Sequence, residues 1–400
     1  MIIRPSLPPV AVKAYQCVSA AGDDIAALHA SLLANRSCLG PLSLFELPFP
    51  TVVGEVRSPL PAIRPQWQAY DCRNARLALM ALEQGGFRAA VERALARHGS
   101  SRIGVVLGTS TSGIYETENA YADLARDGVM PGNFRFLQTH TAQATAEFLQ
   151  RELALHGPCY SISTACSSSA KALAAAQRLI AADFCDAVLV AGVDSLCRLT
   201  LRGFYSLQLV SPEACRPMDA ERNGINIGEG AALLLLERTA ADNADCPRLL
   251  AVGESSDAYH MSAPHPQGTG AAAAMAEALR LAGRELEAVD HINLHATSSL
   301  LNDQSEANAV AGLFRRPPPT SGVKGLIGHT LGAAGAVETV VSLLALEHGF
   351  VPATCGLRQI DPQCAIPVAA QPMLDARPRL VLSNAFGFGG NNASVLLEAA

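Results

Sequence analysis

The chain has 400 residues, of which 49% are hydrophobic and 16% are charged. That balance excludes a disordered chain, and the length suits two domains or one large duplicated unit. The formal net charge of −6 leaves no basic excess, so we expect no binding to nucleic acid or to an anionic membrane surface.

The sequence gives no sign of a membrane span or an export signal. Its most apolar runs, residues 231–236 and 340–346, are far shorter than the roughly 18 residues that a spanning helix needs. The N-terminus lacks the charged-then-apolar order of a signal peptide. The 11 cysteines include no Cys-x-x-Cys pair, which argues against a zinc ribbon and a disulfide framework. We therefore expect a cytoplasmic protein.

Strand-like and helix-like patterns alternate along most of the chain. Residues 38–67 carry six prolines and are predicted to be irregular and exposed. In chain order the prediction then gives a strand at 103–107, helices at 144–156 and 168–182, strands at 187–193, 231–237 and 249–253, a helix at 272–281, a strand at 291–294, helices at 305–313 and 333–348, and strands at 380–383 and 393–397. This alternation predicts α/β layers with largely buried sheets. No stretch repeats literally, so the letters alone do not establish a duplication.

One cysteine, Cys166, lies where a strand-like run gives way to an alanine-rich helical pattern. A cysteine at a helix N-terminus is near unpaired amides and the positive end of the helix dipole, which favour a thiolate. Its neighbours are small and leave the sulfur accessible. A packed core cysteine is the competing interpretation, and position alone does not decide between the two.

Two histidines and a glycine-rich turn occupy similar positions at strand ends. His295 follows one strand and precedes a helix, and His329 lies between glycines ahead of another helix. Each alone is more often a structural residue, but sites assemble at strand ends in α/β layers. The turn at residues 384–392 is either a tight hairpin or a set of amides directed at an oxyanion. A phosphate cradle is less favoured because no helix follows the turn.

Taken in order, these motifs resemble the β-ketoacyl-acyl-carrier-protein synthases of the thiolase superfamily. The shared motifs are Thr-Ala-Cys-Ser-Ser-Ser around Cys166, Arg-Pro-Met-Asp at 216–219, His295 with Asp303 and Glu306, Lys324 with Gly328-His329, and Phe-Gly-Phe-Gly-Gly at 386–390. The likeness covers nearly the whole chain and is to the elongating enzymes. Residues 71–76 are more similar to an aryl-polyene or type II polyketide-like branch than to housekeeping fatty-acid enzymes.

The resemblance implies an α/β thiolase fold with two similar halves, residues 1–240 and 241–400, in five α-β-α-β-α layers. It implies a dimer, either of identical chains or with a sister chain-length factor. The substrates would arrive on the phosphopantetheine of an acyl carrier protein. No metal or other cofactor is expected.

The resemblance also implies the role of each site residue. Cys166 would carry the acyl chain as a thioester, and His295 and His329 would donate hydrogen bonds to the enolate oxygen of the decarboxylated malonyl group. Lys324 would order the surrounding groups, with Glu306 as its expected partner. The backbone amides of Cys166 and Phe388 would form an oxyanion hole. The remaining expected substrate contacts are Thr297 and Ser299 for pantetheine and Thr111, Phe204, Phe386 and Gly387 around the acyl pocket.

The sequence departs from the family at several pocket positions. Ala296 replaces the usual glycine, and Ser299 and Asn391 replace threonines, which puts fine binding geometry in doubt. Thr111 replaces a larger aliphatic gate residue. A free hydroxyl there favours unsaturated, aryl-polyene-like or polyketide-like chains, because burying it without a partner costs about 1–3 kcal/mol. Ordinary fatty-acid elongation, with the hydroxyl bonded to a backbone carbonyl, is the alternative.

Three other functions were weighed against condensation. A non-catalytic chain-length factor shares the fold but usually lacks the nucleophilic cysteine. Thiolases and starter synthases replace one histidine by asparagine or a second cysteine. A cysteine hydrolase leaves the second histidine and the glycine turn unexplained. The set of Cys166, His295 and His329 favours an elongating condensing enzyme over all three.

Overall fold

The computed structural model describes residues 7–400. The strands of this range are β1 (Val10–Ser19), β2 (Gly40–Pro41), β3 (Val52–Val53), β4 (Ile103–Gly108), β5 (Cys159–Ile162), β6 (Ala187–Asp194), β7 (Gly230–Arg238), β8 (Arg248–Ser256), β9 (His291–Asn293), β10 (Thr320–Ser321), β11 (Leu380–Gly387) and β12 (Asn391–Glu398). Its α-helices are α1 (Ile25–Ala34), α2 (Arg73–Glu83), α3 (Phe87–His98), α4 (Ile114–Asp127), α5 (Phe136–Thr139), α6 (Ala144–Glu152), α7 (Ser168–Ala181), α8 (Arg198–Ser206), α9 (Thr269–Ala282), α10 (Leu300–Leu313), α11 (Lys324–Ile327) and α12 (Ala334–His348).

The strand order reveals a duplication. Ten strands hydrogen-bond in the order β10-β9-β11-β12-β8-β1-β7-β6-β4-β5. Strands β2 and β3 form a separate pair and are not counted here. Read outward from β1 in one half and from β8 in the other, the strands of each half follow the order first, fifth, fourth, second and third. The pairing directions also match, since the outer two pairs of each half are parallel and the inner two are antiparallel. Two α/β halves of the same topology are therefore fused through β1 and β8.

Helices α7 and α12 occupy corresponding places in the two halves and lie against each other in the centre. Helix α7 packs on β4 and β6, and α12 packs on β11 and β7. Their approach is close because a side chain at Gly335 would meet the backbone nitrogen of Ala170 at 2.5 Å. Small residues on both helices thus bring the two halves together.

Outer helices cover the remaining faces of the sheets. Helices α2 and α3 pack on the first half, against β1, β6 and β7, and α9 packs on β8 and β12 of the second half. Together with the central pair they give five layers, in the order α-β-α-β-α. Within residues 7–400, the stretch Leu331–His348 alone is long and apolar enough to cross a membrane, yet 89% of it is buried in the protein. It is the core helix of the second half.

The predicted alternation of strands and helices is present, with shifted ends. Helix α6 ends at Glu152 instead of residue 156, and α10 begins at Leu300 instead of residue 305. The prediction omitted β1, whose apolar pattern is interrupted by Lys13 and Gln16. It also omitted the helices of the first half before α6, together with α8. Most of these elements have an exposed or mixed face and lack continuous apolar runs, but α2 contains one, at residues 77–82, that the prediction overlooked.

Candidate active site

Cys166 lies in the turn between β5 and α7. The turn is sharp, since Ala165 has a left-handed backbone with φ of 53°. The Ser168 hydroxyl donates to the Ala165 carbonyl at 2.5 Å and closes the turn. This geometry directs the sulfur toward the second half of the molecule, where the Cys166 residue is only 6% exposed.

The environment of the Cys166 sulfur combines burial with hydrogen-bond donors. Burial raises the pKa of the Cys166 thiol to about 11, whereas the charge of Lys324 and the amide N–H groups of Phe388 and Cys166 itself lower it. Desolvation is the largest of these effects and gives the upward direction of the shift. Burial and the neighbouring donors therefore act in opposite directions on the charged form of this sulfur.

His329 contacts the Cys166 thiol directly. Its Nε2 lies 2.9 Å from the Cys166 sulfur. Its Nδ1 accepts a hydrogen bond from the backbone N–H of Leu331 at 3.3 Å. When Nδ1 of a neutral imidazole accepts a hydrogen bond, the ring carries its proton on Nε2. His329 therefore presents an N–H group to the centre of the site.

His295 presents its N–H group by the same logic. The Lys324 ammonium lies 3.2 Å from Nδ1 of His295 and donates to the His295 carbonyl at 2.5 Å. An ammonium is only a donor, so Nδ1 accepts and Nε2 holds the proton. The two imidazole rings are 5.2 Å apart, centroid to centroid, and nearly perpendicular. Both N–H groups thus point into one small space beside Cys166.

The carboxylate partner of Lys324 is Glu338, not Glu306. The ammonium of Lys324 donates to Glu338, and both side chains are almost fully buried. The expected Lys324–Glu306 pair is wrong because Glu338, on the central helix α12, reaches the ammonium from within the core. A buried ion pair of this kind fixes the lysine and supplies a charge that the protein itself neutralises.

Glu306 instead holds the loop that follows His295. Its carboxylate accepts the N–H groups of His295 and Ala296, each at 2.8 Å, and the side-chain amide of Asn384 at 3.0 Å. The loop needs such support because Ala296 has a φ of 35° and Ser298 a φ of 72°. Burial raises the pKa of Glu306 to about 7, although these three hydrogen bonds lower it.

Both active-site histidines are neutral. Burial lowers the pKa of His295 well below its usual value, and the Lys324 charge and the His329 ring lower it further. Burial and the Lys324 charge act on the pKa of His329 in the same direction. The thiol and the nearest ring nitrogens lie within 4.8 Å of one another, close enough for a metal ion. Both Nε2 atoms keep their protons, however, so the arrangement favours hydrogen-bond donation over metal binding.

The glycine-rich turn between β11 and β12 faces Cys166 from the opposite side. Gly389 and Gly390 have φ of 78° and 72°, values that favour glycine. The Phe388 amide in this turn reaches the Cys166 sulfur. The Phe386 ring meets the His295 ring edge-on at a centroid distance of 6.0 Å. The turn therefore brings an amide donor and an aromatic wall to the same site.

A cavity of about 270 Å³ opens onto the three reactive groups. Its lining combines apolar and amide side chains. Among the residues singled out from the sequence, the lining includes Cys166, Phe204, His295, Thr297, Ser299, His329, Phe386, Gly387 and Phe388.

Thr111 is absent from that lining. Its residue is 1% exposed, and its hydroxyl donates to the Asp194 carboxylate at 2.8 Å. The expectation of a free hydroxyl facing the acyl chain is therefore wrong, and so is the backbone carbonyl named as its alternative partner. The preference for unsaturated chains loses the argument on which it rested.

Comparison with known proteins decides the family. The family model "Beta-ketoacyl synthase, N-terminal domain" matches residues 8–241, and "Beta-ketoacyl synthase, C-terminal domain" matches residues 248–358. The chain belongs to the β-ketoacyl synthase family. The predicted family and thiolase fold are thereby confirmed.

Similar proteins span nearly the full length of this ketosynthase. Nodulation protein E of Rhizobium meliloti is 32% identical over 388 residues, covering 93% of this chain and 94% of the relative. The 3-oxoacyl-[acyl-carrier-protein] synthase 2 of Coxiella burnetii is 31% identical over 412 residues, covering 97% and 98%. Among solved structures, the ketosynthase ApeO of Xenorhabdus doucetiae, in complex with its chain length factor ApeC, is 38% identical, with a TM-score of 0.91 and 98% of each chain covered.

Two buried acids of this ketosynthase were missed from the sequence. Glu338 could have been found, because it is the one charged residue between positions 334 and 346 of an otherwise apolar helix. A charge in such a run needs a buried partner. Asp194 follows a fully buried strand, a weaker signal that does not reveal which groups it accepts.

Proposed function

We propose that this protein is a 3-oxoacyl-[acyl-carrier-protein] synthase. It condenses an acyl chain held on Cys166 with malonyl-acyl-carrier protein, releasing carbon dioxide and forming β-ketoacyl-acyl-carrier protein. The observation that carries the proposal is the convergence of one thiol and two imidazole N–H groups within 4.8 Å. Thiol nucleophiles accept acyl groups, and paired donors stabilise an enolate.

In the first half-reaction the Cys166 sulfur attacks the thioester of an acyl-carrier protein. We assign the Phe388 and Cys166 amides, which lower the pKa of the Cys166 thiol, to stabilise the oxyanion that develops on the thioester oxygen. The tetrahedral intermediate then expels the pantetheine sulfur, which takes up the proton lost by the thiol. The acyl chain remains as a thioester on Cys166.

In the second half-reaction malonyl-carrier protein occupies the same cavity. Loss of carbon dioxide leaves an enolate, whose thioester oxygen accepts the Nε2–H groups of His295 and His329. The nucleophilic carbon attacks the acyl thioester on Cys166 and forms the new carbon–carbon bond. The cysteine leaves as a thiolate and takes one proton from water. Neutral histidines suit this role because each offers one N–H without a permanent charge. The steps use no metal or redox cofactor.

The polar mouth of the cavity suits a pantetheine arm. Thr297 and Ser299 both line it, and their hydroxyls lie 3.0 Å apart. Two hydroxyls can donate to and accept from the amides of the arm, while the phenylalanine rings near Cys166 contact the acyl chain. Eleven free thiols suit a reducing compartment, so we assign the reaction to the cytoplasm.

We further propose that the chain pairs with a sister subunit of the chain-length-factor type. Support comes from the 38% identical ketosynthase that is solved with its chain length factor. Within the described residues β5 pairs with β4 alone, which leaves one strand edge open. Gln143 donates to the Cys159 carbonyl on β5, and the nearby helix α5 exposes Phe136 and Leu137. An open edge beside apolar side chains favours a protein partner.

Incubation with acyl- and malonyl-carrier proteins tests the condensation. Mass spectrometry is expected to show acyl-Cys166 and then a β-ketoacyl product extended by two carbons. Free acid alone would identify a hydrolase. A chain that neither acylates nor condenses, alone or with a sister subunit, but alters the product length of an added active ketosynthase would instead be a chain-length factor. Co-expression with candidate sister chains, followed by mass measurement of the complex, tests the pairing, and a stable homodimer that ignores such sisters would contradict it.

A further inference from the structure

A buried carboxylate next to the site takes no part in the proposed chemistry. Asp194, at the end of β6, is fully buried. Burial raises the pKa of its carboxyl, whereas hydrogen bonds from Thr109, Thr111 and Ser110 lower it. The donors around it are backbone amides and hydroxyls, so the carboxylate is held by hydrogen bonds and not by a cation.

The two oxygens of Asp194 serve different halves of the molecule. Its Oδ1 accepts the Thr109 hydroxyl at 2.7 Å and the amide and hydroxyl of Thr111, each at 2.8 Å. Its Oδ2 accepts the amide of Gly332 at 2.5 Å. The Ser110 amide lies within reach of both oxygens. One carboxylate therefore ties the turn after β4 in the first half to the turn after His329 in the second.

The tied turn is the one that sets the tautomer of His329. Leu331 has a left-handed backbone with φ of 54°, and its N–H donates to Nδ1 of His329. The next amide, that of Gly332, is the one held by Asp194. A side chain at Gly332 would meet the Ser110 hydroxyl at 2.7 Å, so the turn is pressed close against the Asp194 cluster.

We propose that Asp194 is a positioning residue that keeps His329 in its Nε2–H form by holding the Leu331–Gly332 turn. This inference rests on the proposed function, since the Nε2–H group matters as a donor to the enolate. Without the tie, the Leu331 amide moves from Nδ1 and the proton can shift to that atom. Nε2 then becomes an acceptor, which can still contact the Cys166 thiol but cannot donate to an enolate.

Asp194→Asn separates these effects. Most donors converge on Oδ1, so the asparagine oxygen takes that place and its NH₂ group faces the Gly332 amide, donor against donor. We expect decarboxylation of malonyl-carrier protein to fall about tenfold or more. Acylation of Cys166 should fall less than decarboxylation does, because the His329–Cys166 contact survives with its donor reversed and the loss of the Asp194 charge removes one cause that raises the pKa of the Cys166 thiol.

Nitrogen-15 chemical shifts of labelled histidine read the tautomer directly. The protein has 10 histidines, and the spectrum of His329→Asn assigns the relevant pair of signals. We expect Nε2–H in the parent protein and a shift toward Nδ1–H in Asp194→Asn. Gly332→Ala, which pushes the same turn off Asp194 without changing the carboxylate, should give the same change if the first variant does not fold.

Asp219→Asn is the matched control. Asp219 is also buried and also accepts backbone amides, those of Arg358 and Gln359 at 2.7 and 2.9 Å, but it does not line the cavity. Asp219→Asn should alter neither the tautomer of His329 nor the relative rates of acylation and decarboxylation. An Nδ1–H tautomer in the parent, or an unchanged tautomer and decarboxylation rate in Asp194→Asn, would overturn the inference. If the parent protein neither acylates nor decarboxylates, the proposed function is wrong. The tautomer measurement tests the role of Asp194 even in that case.

Discussion

The ammonium of Lys324 lies 3.2 Å from Nδ1 of His295, and this contact determines which nitrogen of the ring carries the proton. The lysine is itself fixed by the Glu338 carboxylate on the central helix. The position of His295 as a donor thus depends on a charge pair buried between the two halves. Because that pair is buried, its removal affects both the stability of the fold and the chemistry of the site.

Lys324→Met is expected to slow decarboxylation of malonyl-carrier protein by about tenfold to a hundredfold, because Nδ1 of His295 loses its donor. It also leaves the buried Glu338 without its cation, with the Asn293 side-chain amide at 3.3 Å as its remaining donor, which costs about 3–5 kcal/mol of stability. The double variant Lys324→Met/Glu338→Met should regain most of that stability but not the activity. Urea unfolding and carbon dioxide release measure the two effects.

Lys13→Met, on β1 and outside the cavity, is the control for these variants and should leave carbon dioxide release unchanged. Full decarboxylation by the double variant would show that the Lys324–Glu338 pair serves the fold alone. His295 would then need another source for its tautomer.

Cys166→Ala should abolish condensation and keep decarboxylation, since both imidazole donors remain. The measurement pairs carbon dioxide release with mass spectrometry of the β-ketoacyl product. Cys185→Ala, another buried cysteine, should keep both activities. An elongated product from Cys166→Ala would show that the acyl chain is carried elsewhere.

The fold was predictable as far as apolar periodicity reaches. The alternation of buried strands and helices appears in the letters, but the duplication does not, since it lies in strand order and not in repeated residues. The C-terminal end of strand β11 shows where apolar periodicity stops being informative. The prediction stopped it at residue 383, whereas it continues to Gly387 because β12 pairs with it as far as Gly387 and Asn391. Pairing with the adjacent strand of the hairpin overrides the low strand preference of asparagine and glycine at residues 384–387.

The site was predictable where a motif names the residue and not where a partner had to be chosen. Cys166, His295 and His329 lie together as their motifs suggested. The choice between Glu306 and Glu338 for Lys324 depended on which acid the tertiary packing brings near. The predicted free hydroxyl at Thr111 is wrong for the same reason, because that hydroxyl donates to Asp194, a residue far away in sequence.

Because of Glu306, the free energy of unfolding should decrease as pH rises toward neutrality and above. Burial raises its pKa from 4.5 to about 7, so the folded state holds this proton to higher pH than the unfolded state does. The stability linked to that proton is full below about pH 4.5 and is lost as pH rises through about 7. A rise in this pKa from 4.5 to about 7 corresponds to about 3 kcal/mol of stability when it is fully expressed.

Urea unfolding of the parent protein and Glu306→Gln at pH 5 and pH 8 tests this linkage. The parent should lose about 2.5 kcal/mol more than the variant over that interval, because the unfolded-state carboxyl is already mostly ionised at pH 5, and exposed Glu285→Gln should behave like the parent. Equal losses in the parent and Glu306→Gln would mean that hydrogen bonds from the His295 and Ala296 amides keep the carboxyl ionised throughout.

Gly387→Ala tests the oxyanion hole, which no side-chain deletion can reach directly. A Cβ atom there would lie 2.9 Å from the Thr164 carbonyl oxygen and 3.3 Å from the Cys166 nitrogen. The glycine-rich turn must therefore move away from Cys166 and take the Phe388 amide with it. We expect acylation of Cys166 to slow by about tenfold to a hundredfold, and decarboxylation to slow less because it depends on the histidine pair. Time-resolved mass spectrometry of acyl-Cys166 measures the first rate.

Gly312→Ala, in helix α10 with open space around it, is the control and should acylate normally. Unchanged acylation in Gly387→Ala would exclude the Phe388 amide as the donor and leave the Cys166 amide to stabilise the oxyanion without it.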